Sequence, residues 1–376
     1  MIVSNDMVVS GDMAASNDMV VSSDMVVSSD MVVSSVAANP CRRRNPLSIG
    51  RGTQGMVTVS TGARLHVGFQ NLSLAHDRLY GGIGVGIEEP RVTVVANRAD
   101  RVEAEDPLLE TYGRRVTSLL DVPGVSLSLE EGLPRHRGLG SGTQLALSTL
   151  LATARVYDLD PYLRERAPTL GRGGRSGVGT ATFERGGFVV DAGHPTEQFT
   201  TEPPAEGEWT VPVPVARHDL PESWRVVLVI PDGESGRNGE DEEASMRRVV
   251  ERADPTVADD IAGIVTRGLL PAAAEGRLDA FGTAVGEIGR NNGIWYTDVQ
   301  GGVFRPPAGA LVDSLRECPA LTGVGQSSWG PTVYGFTDDR HGAEARRAGE
   351  RAIDRLECDG TVLLTSPASS GARVTD

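Results

Sequence analysis

Lysine is absent: apart from histidine, every basic side chain in these 376 residues is arginine. No Schiff base can form with pyridoxal phosphate or a carbonyl substrate, and no Walker-A phosphate loop can exist. Cysteine is almost absent too. Cys41, Cys318 and Cys358 are too few and too scattered for a disulfide framework or a thiolate metal site, so neither pyridoxal phosphate nor zinc is expected. No apolar run approaches the roughly 18 residues of a membrane span. HExxH, CxxC and GxSxG motifs are missing, which removes support for a zinc protease or a serine hydrolase. Positive charge is outweighed throughout, with a formal net charge of -15, so neither nucleic acid nor an anionic membrane is an expected partner. A soluble, cytoplasmic protein is expected. Its acidic, lysine-free composition suits a salt-rich cytoplasm, although a GC-rich genome also favours arginine over lysine.

The chain is long enough for two domains and a sizeable core. It opens on a repeat, NDMVVS, GDMAAS, NDMVVS, SDMVVS, SDMVVS, with Asp6, Asp12, Asp18, Asp24 and Asp30 at a spacing of six. The period is compatible with a strand, but no core-forming face results, and a basic start and continuous apolar stretch of a signal peptide are both missing. Residues 1–55 read as repeat and linker, disordered or not translated, with the folded protein beginning at Met56. Gly82 to Asn97 reads as two strands meeting at Glu88-Glu89-Pro90. Helices are expected over Pro107–Leu120, about Ser141–Tyr157, Pro255–Glu275, Leu278–Arg290 and around Ala343–Leu356. The helix from Ser141 is apolar almost all round and should be buried. RVVLVI (Arg225–Ile230) reads as a core strand, PDGESGRNGEDEE after it as an exposed acidic loop, and GTVLLT as a further strand. Strands and helices without strict alternation predict an α+β fold: a domain over 56–217, a second over 218–366, and a tail over 367–376.

Three loops carry chemistry. In PRHRGLGSGTQLALS, Gly138-Leu139-Gly140-Ser141-Gly142-Thr143 runs into the buried helix. Unpaired N–H groups at a helix start hold a phosphate without lysine, and Arg135, His136 and Arg137 strengthen that reading. The Ser141 hydroxyl can cap the helix or reach a phosphate or Mg²⁺; a plain capped turn is the alternative. The second loop, from Gly171 to Gly193, places Arg172 and Arg175 among glycines, where bidentate guanidinium groups suit phosphate or carboxylate. The third, GVGQSSWGPTVYG, offers Gln326, Ser327, Ser328 and the flat Trp329 among residues small enough for close backbone approach. Arg64 and His66 share one face of a strand. Asp191 and Asp298 are available as metal ligands or bases.

At these loops the chain resembles the superfamily of galactokinase, homoserine kinase and mevalonate kinase (GHMP kinases). Pro134 to Thr143, P-R-H-R-G-L-G-S-G-T, matches that superfamily's P-x-x-x-G-L-G-S-S-A. The resemblance implies a two-domain α+β fold with a phosphate in the Gly138 loop. Within it, ARLHVGFQNLS, RLYGGIGVGIEEP, GLGSGTQLAL, GRGGRSGVGTATFERGGFVVD, QGGVF and GVGQSSWGPTVYG are similar to the archaeal β-ribofuranosylaminobenzene 5'-phosphate synthases of methanopterin biosynthesis. In the kinases the second segment reads S-G-x-D; here Ser176-Gly177-Val178-Gly179 carries glycine instead. A kinase fold reused is the expectation.

What the synthase resemblance implies is a condensation of phosphoribosyl diphosphate with 4-aminobenzoate or 4-hydroxybenzoate, releasing CO₂ and pyrophosphate, with Mg²⁺. An arginine should hold the aromatic carboxylate, with Arg64, Arg172 and Arg175 as candidates; these and His66 are the expected catalytic residues, and the expected phosphate site spans Arg137, Gly138, Leu139, Gly140, Ser141, Gly142 and Thr143. Substrate contacts are implied for Gly174, Ser176, Gly177, Gln300, Gly325, Gln326, Ser327 and Ser328, and metal contacts for Ser141 and Asp191. A homodimer is the family habit. The rival readings are an ATP-dependent small-molecule kinase and a non-catalytic relative that binds nucleotide or phosphosugar.

Overall fold

Alternating apolar residues from Val57 onward start a long hairpin on which the larger part of the molecule is built. The computed structural model describes residues 55–199, 204–233 and 239–376. The hexad repeat and nearly all of the linker therefore lie outside the described residues. Strand β1 (Val57–Asn71) pairs antiparallel with β2 (Arg78–Arg98). There follow β3 (Glu103–Ala104), α1 (Pro107–Leu120), β4 (Val125–Glu131), α2 (Ser141–Val156), α3 (Leu163–Arg166) and α4 (Val178–Arg185). Strands β5 (Phe188–Asp191), β6 (His194–Pro195) and β7 (Pro214–His218) complete this stretch. The remainder runs β8 (Trp224–Pro231), α5 (Gly239–Val250), α6 (Pro255–Ile264), α7 (Leu270–Glu275), α8 (Leu278–Gln300) and α9 (Ala308–Arg316). It ends with β9 (Thr322–Gln326), β10 (Val333–Asp338), α10 (Gly342–Arg355), β11 (Gly360–Thr365) and β12 (Arg373–Thr375).

The elements form an α+β fold with two sheets. The larger has the path β12-β1-β2-β4-β3, with β5 and β6 joining β2 and β7 joining β5; the smaller is antiparallel, in the order β11-β8-β10-β9. The change of sheet falls between β7 and β8. No helix among the described residues is long and apolar enough to cross a membrane.

Some elements differ from the sequence reading, each for a tertiary reason. Glu88-Glu89-Pro90 does not separate two strands. β2 is continuous and changes partner there, its first half pairing β5 through Ile83–Val85 and its second pairing β4 through Thr93–Arg98. The acidic stretch after β8 is not loop throughout, since α5 begins at Gly239. α8 continues ten residues past the expected end at Arg290, to Gln300. The extension is held to β1 through Asn292, whose Oδ1 accepts from Phe69 N at 2.7 Å and whose Nδ2 donates to Phe69 O at 3.0 Å. The expected tail returns to the large sheet. Ala368 N donates to Gly86 O, Gly187 N to Ala368 O, and β12 pairs β1 from Arg373 to Thr375.

α2 is buried on almost every face, as its composition requires, packed between the β1–β2 hairpin and α1 and α4. α8 has the corresponding place between the sheets. Its Phe281, fully buried, has its ring centroid 5.4 Å from Phe188 of the large sheet. The same ring lies 5.1 Å from Trp224 and 5.3 Å from Phe336 of the small sheet. Removing this ring leaves a cavity bordered by both sheets. Phe281→Ala should cost about 3–5 kcal/mol, read as a lower midpoint in denaturant unfolding followed by far-UV circular dichroism; a loss below about 1 kcal/mol overturns the role given to Phe281.

Candidate active site

β1 presents Arg64 and His66 where the two sheets meet. Arg64 Nη1 donates to Gly138 O at 2.7 Å, and Ser327 Oγ donates to the same carbonyl at 2.7 Å. Ser327 Oγ in turn accepts from His66 N at 3.1 Å, and Ser328 N donates to His66 O at 3.0 Å. The Gly138 loop, β1 and the β9–β10 turn are thus joined directly. They touch backbone to backbone: a Cβ on Gly138 would lie 2.1 Å from Ser327 O, and one on Gly330 would lie 2.2 Å from the Arg137 carbonyl. Gly138 at φ 83° and Gly140 at φ 79° occupy the left-handed region that glycine adopts without strain.

This junction floors a cleft of about 750 Å³. Gly138, Gly140, Ser141, Gly142 and Thr143 line one wall; Arg64, Arg135, Arg172 and Arg175 bring positive charge; Ser328 and Trp329 close an end. At the start of α2 the N–H groups of Ser141 and Gly142, both cleft-lining residues, have no backbone acceptor among the described residues, whereas Thr143 N and Gln144 N donate to Gly140 O. Ser141 is not the cap: Gly140 holds the N-cap position with no side-chain hydrogen bond, which leaves the Ser141 hydroxyl to the cleft. Arg172 stacks over the Tyr112 ring at 5.4 Å and hydrogen-bonds its hydroxyl, and it covers Gly142 closely. Three anion-binding devices therefore share one space: a helix N-terminus, a glycine turn and a group of guanidinium side chains.

Other expected residues lie outside the cleft. Arg137 turns away to the end of β8, with Nη1 donating to Pro231 O at 3.1 Å and Nη2 to Gly233 O at 3.0 Å. Leu139 is wholly buried. His66, Gln300 and Gln326 line a small neighbouring pocket of about 40 Å³, with Ser328 and Trp329 shared between the two. Gln326 is occupied by the turn, accepting from Arg305 N and donating to Ser328 O; Gln300 donates to Val303 O. Burial, with Arg64 and Arg175 adding to it, holds the His66 imidazole well below its usual pKa, so it is neutral. Its Nε2 has no hydrogen-bond partner among the described residues.

Gly325 sits within β9 under the Tyr334 hydroxyl. Gly174 lines a further pocket on the other side of Arg175. Asp298 sits on the exposed part of α8.

Asp191 is likewise not beside Ser141. Its carboxylate is buried and accepts from Gly177 N at 2.7 Å, Ser176 Oγ at 3.1 Å and Gly193 N at 2.9 Å. Ser176, Gly177 and Asp191 form one internal network that fixes the start of α4. Burial pushes the Asp191 carboxyl up to about 6, against the downward pull of these donors and of Gly82 N.

The sequence reading missed the pocket beyond Arg175. Tyr80, His194, Phe199, Trp209 and Arg247 form it, from well-separated segments with no shared motif.

The GHMP kinases N terminal domain family matches residues 103–187, and the GHMP kinases C terminal family matches residues 269–354. A β-ribofuranosylphenol 5'-phosphate synthase from Methanothermobacter thermautotrophicus is 30% identical over 332 residues, covering 84% of this chain and 97% of that protein. The protein of the same name from Archaeoglobus fulgidus is 32% identical over 331 residues, covering 85% and 99%. A mevalonate diphosphate decarboxylase from Staphylococcus aureus shares the fold, with a TM-score of 0.59 at 13% identity, over 85% of this chain and 98% of that one.

The raised Asp191 pKa has a pH consequence. Its folded value lies above the ordinary 3.8, so the protonated form is the one the fold favours. The contribution, about 3 kcal/mol, is fully present below about pH 4 and is lost as pH rises through about 6. Infrared difference spectra against Asp191→Asn should show a carboxyl band titrating near pH 6; a group already ionised at pH 4 overturns this.

Proposed function

Because the chain belongs to the family of β-ribofuranosylphenol 5'-phosphate synthases, built on the GHMP kinase fold, we propose that it condenses phosphoribosyl diphosphate with 4-hydroxybenzoate or 4-aminobenzoate. The products are a C-riboside 5'-phosphate, CO₂ and pyrophosphate. The observation that carries this reading is the cleft: the N-terminus of α2 with Arg64, Arg135, Arg172 and Arg175 around it, suited to a diphosphate. As the bond from ribose C1 to the diphosphate breaks, charge grows on the leaving oxygens. Prearranged N–H and guanidinium donors stabilise that charge more than they stabilise the bound substrate. Arg64 has a second task, because its bond to Gly138 O fixes the loop that presents those N–H groups.

Oxygen donors along the cleft fit Mg²⁺: the Ser141 hydroxyl and the Glu206 and Glu243 carboxylates. Among the described residues no group of three His, Cys, Asp or Glu side chains stands ready to hold a metal ion. The substrate's own diphosphate is therefore the main ligand in this reading, as is usual for Mg²⁺. When bound, the ion neutralises diphosphate charge.

The kinase reading lacks its base. Gly179 stands where the kinases carry Asp, and a Cβ added there would meet Thr143 Cγ2 at 3.1 Å, so a larger side chain needs the first turn of α2 to give way. Gly179 O also accepts from the buried Gln144 Nε2 at 3.1 Å, which ties α4 to α2 at this point.

The test supplies phosphoribosyl diphosphate, Mg²⁺ and carboxyl-labelled 4-hydroxybenzoate or 4-aminobenzoate, with ATP and a panel of alcohols in parallel. Labelled CO₂ matched by pyrophosphate is the expected result. ADP without CO₂ overturns it in favour of a kinase, and phosphoribosyl diphosphate binding without turnover in favour of a non-catalytic relative. Arg64→Gln should lower kcat/KM for phosphoribosyl diphosphate about 100-fold or more, measured by pyrophosphate release.

A further inference from the structure

A pocket of about 330 Å³ adjoins the arginine-lined cleft and shares Gly171, Arg175 and Glu243 with it. Its size falls within the roughly 300–1,000 Å³ of small-molecule sites. The walls are aromatic: Tyr80, Phe199 and the indole of Trp209, whose Nε1 donates to Arg172 O at 3.0 Å. Arg247 stacks on the Phe199 ring at 5.0 Å, and Arg175 stands 3.9 Å from Glu243. Tyr80 holds a left-handed φ of 70°, a conformation a tyrosine keeps only when its surroundings enforce it. Those surroundings include Phe69, with ring centroids 5.6 Å apart, and the perpendicular His194 ring at 6.3 Å. His194 lines this pocket and not the cleft. It is 6% exposed, and its Nε2 has no hydrogen-bond partner among the described residues. The ring is hydrogen-bonded to the Gly174 backbone and the Gln198 side chain, so the imidazole is held in a fixed orientation in the wall of the aromatic pocket.

We propose that this pocket binds the aromatic acid, and that His194 is a catalytic residue that takes the proton from the acid's 4-hydroxyl or 4-amino group. The proposal rests on the synthase reading above. The ring carbon that bonds to ribose also bears the carboxylate, so that end of the acid must face the cleft. Arg175, common to both spaces, is the cation placed to meet it. The ring then runs between the aromatic walls and directs its 4-substituent into the part of the pocket that His194 lines. Burial holds the His194 imidazole below its usual pKa, so it is in the form that accepts a proton.

With 4-hydroxybenzoate the steps balance as follows. The carboxylate-bearing carbon bonds to ribose C1 while the C1–O bond breaks, and pyrophosphate leaves with that electron pair. The 4-hydroxyl proton passes to His194 Nε2, and the ring becomes a cyclohexadienone. The bond to the carboxylate then breaks, CO₂ departs, and its electron pair restores the aromatic ring. The proton returns from His194 to the 4-oxygen, so none is gained or lost. Electron release from the 4-position is what makes the ring carbon nucleophilic, so a base there acts on the bond-forming step itself.

Steady-state kinetics on the full chain test this, with both substrates varied and phosphoribosyl diphosphate binding measured by calorimetry. His194→Gln should lower kcat with 4-hydroxybenzoate about 100-fold or more while phosphoribosyl diphosphate affinity stays within twofold. Phe199→Ala, at a half-buried position where folding is not at risk, should raise KM for the acid about fivefold without changing that affinity. Binding of 4-hydroxybenzoate should also quench tryptophan fluorescence, and Trp209→Phe should remove the quench. If the unaltered protein releases CO₂ and pyrophosphate yet His194→Gln and Phe199→Ala leave kcat and the acid's KM within twofold, the subsite is elsewhere. A protein that releases no CO₂ from either acid sinks the synthase reading, and the assignment of this pocket falls with it.

Discussion

The carbonyl of Gly138 accepts from both the Arg64 guanidinium and the Ser327 hydroxyl, and the cleft depends on that shared acceptor. Each partner comes from a different place: Arg64 from a strand of the large sheet, Ser327 from the turn after β9 in the small one. A backbone carbonyl has two lone-pair directions and here both are taken by side chains. The loop is thereby fixed to both sheets where it lines the cleft. Gly330 lies against the same peptide, close enough that a methyl group would displace it. A diphosphate site made of N–H groups works only if those groups are fixed before the substrate arrives, since reorienting them would consume the energy meant for the leaving group. The contact between sheets supplies that rigidity.

In the proposed reaction the same arrangement would let a chain without lysine hold a diphosphate. A lysine is a point charge on a flexible stem, whereas arginine offers a planar fork that is held by its neighbours. Arg172 is held by Tyr112, Arg64 by the Gly138 carbonyl, and Arg175 stands near Glu243. Each guanidinium is oriented by a named partner. The buried Asp191 works at one remove: it fixes Ser176 and Gly177, and so the segment that leads out of Arg175 into α4. On the GHMP kinase fold, the proposed reaction rests on glycine at position 179 and on an aromatic pocket beyond Arg175.

Much of this was legible in order along the chain. A glycine turn running into an apolar helix is read from its residues alone, because such a turn follows from local conformation, and the structure has that turn leading into α2. The apolar surface of α2 likewise announced its burial. Roles that depend on a distant partner were not legible. Arg137 stands next to Gly138 in sequence, yet its guanidinium serves the carbonyls of Pro231 and Gly233. Gln326 reads as a substrate donor but is occupied by Arg305 and Ser328.

By itself the sequence determined what chemistry was absent and which backbone segments could hold an anion. Both follow from residue type and from conformations reaching over a few neighbours. Lysine chemistry was excluded by composition, and the glycines of the Gly138 loop allowed its left-handed turn. Only the tertiary structure decided which side chains face the same space. Tyr80, Arg175, His194, Phe199, Trp209 and Arg247 meet around one pocket because β2, the α4 approach, β6 and α5 converge there. No periodicity or spacing encodes that convergence, since it arises from packing between segments far apart in the chain.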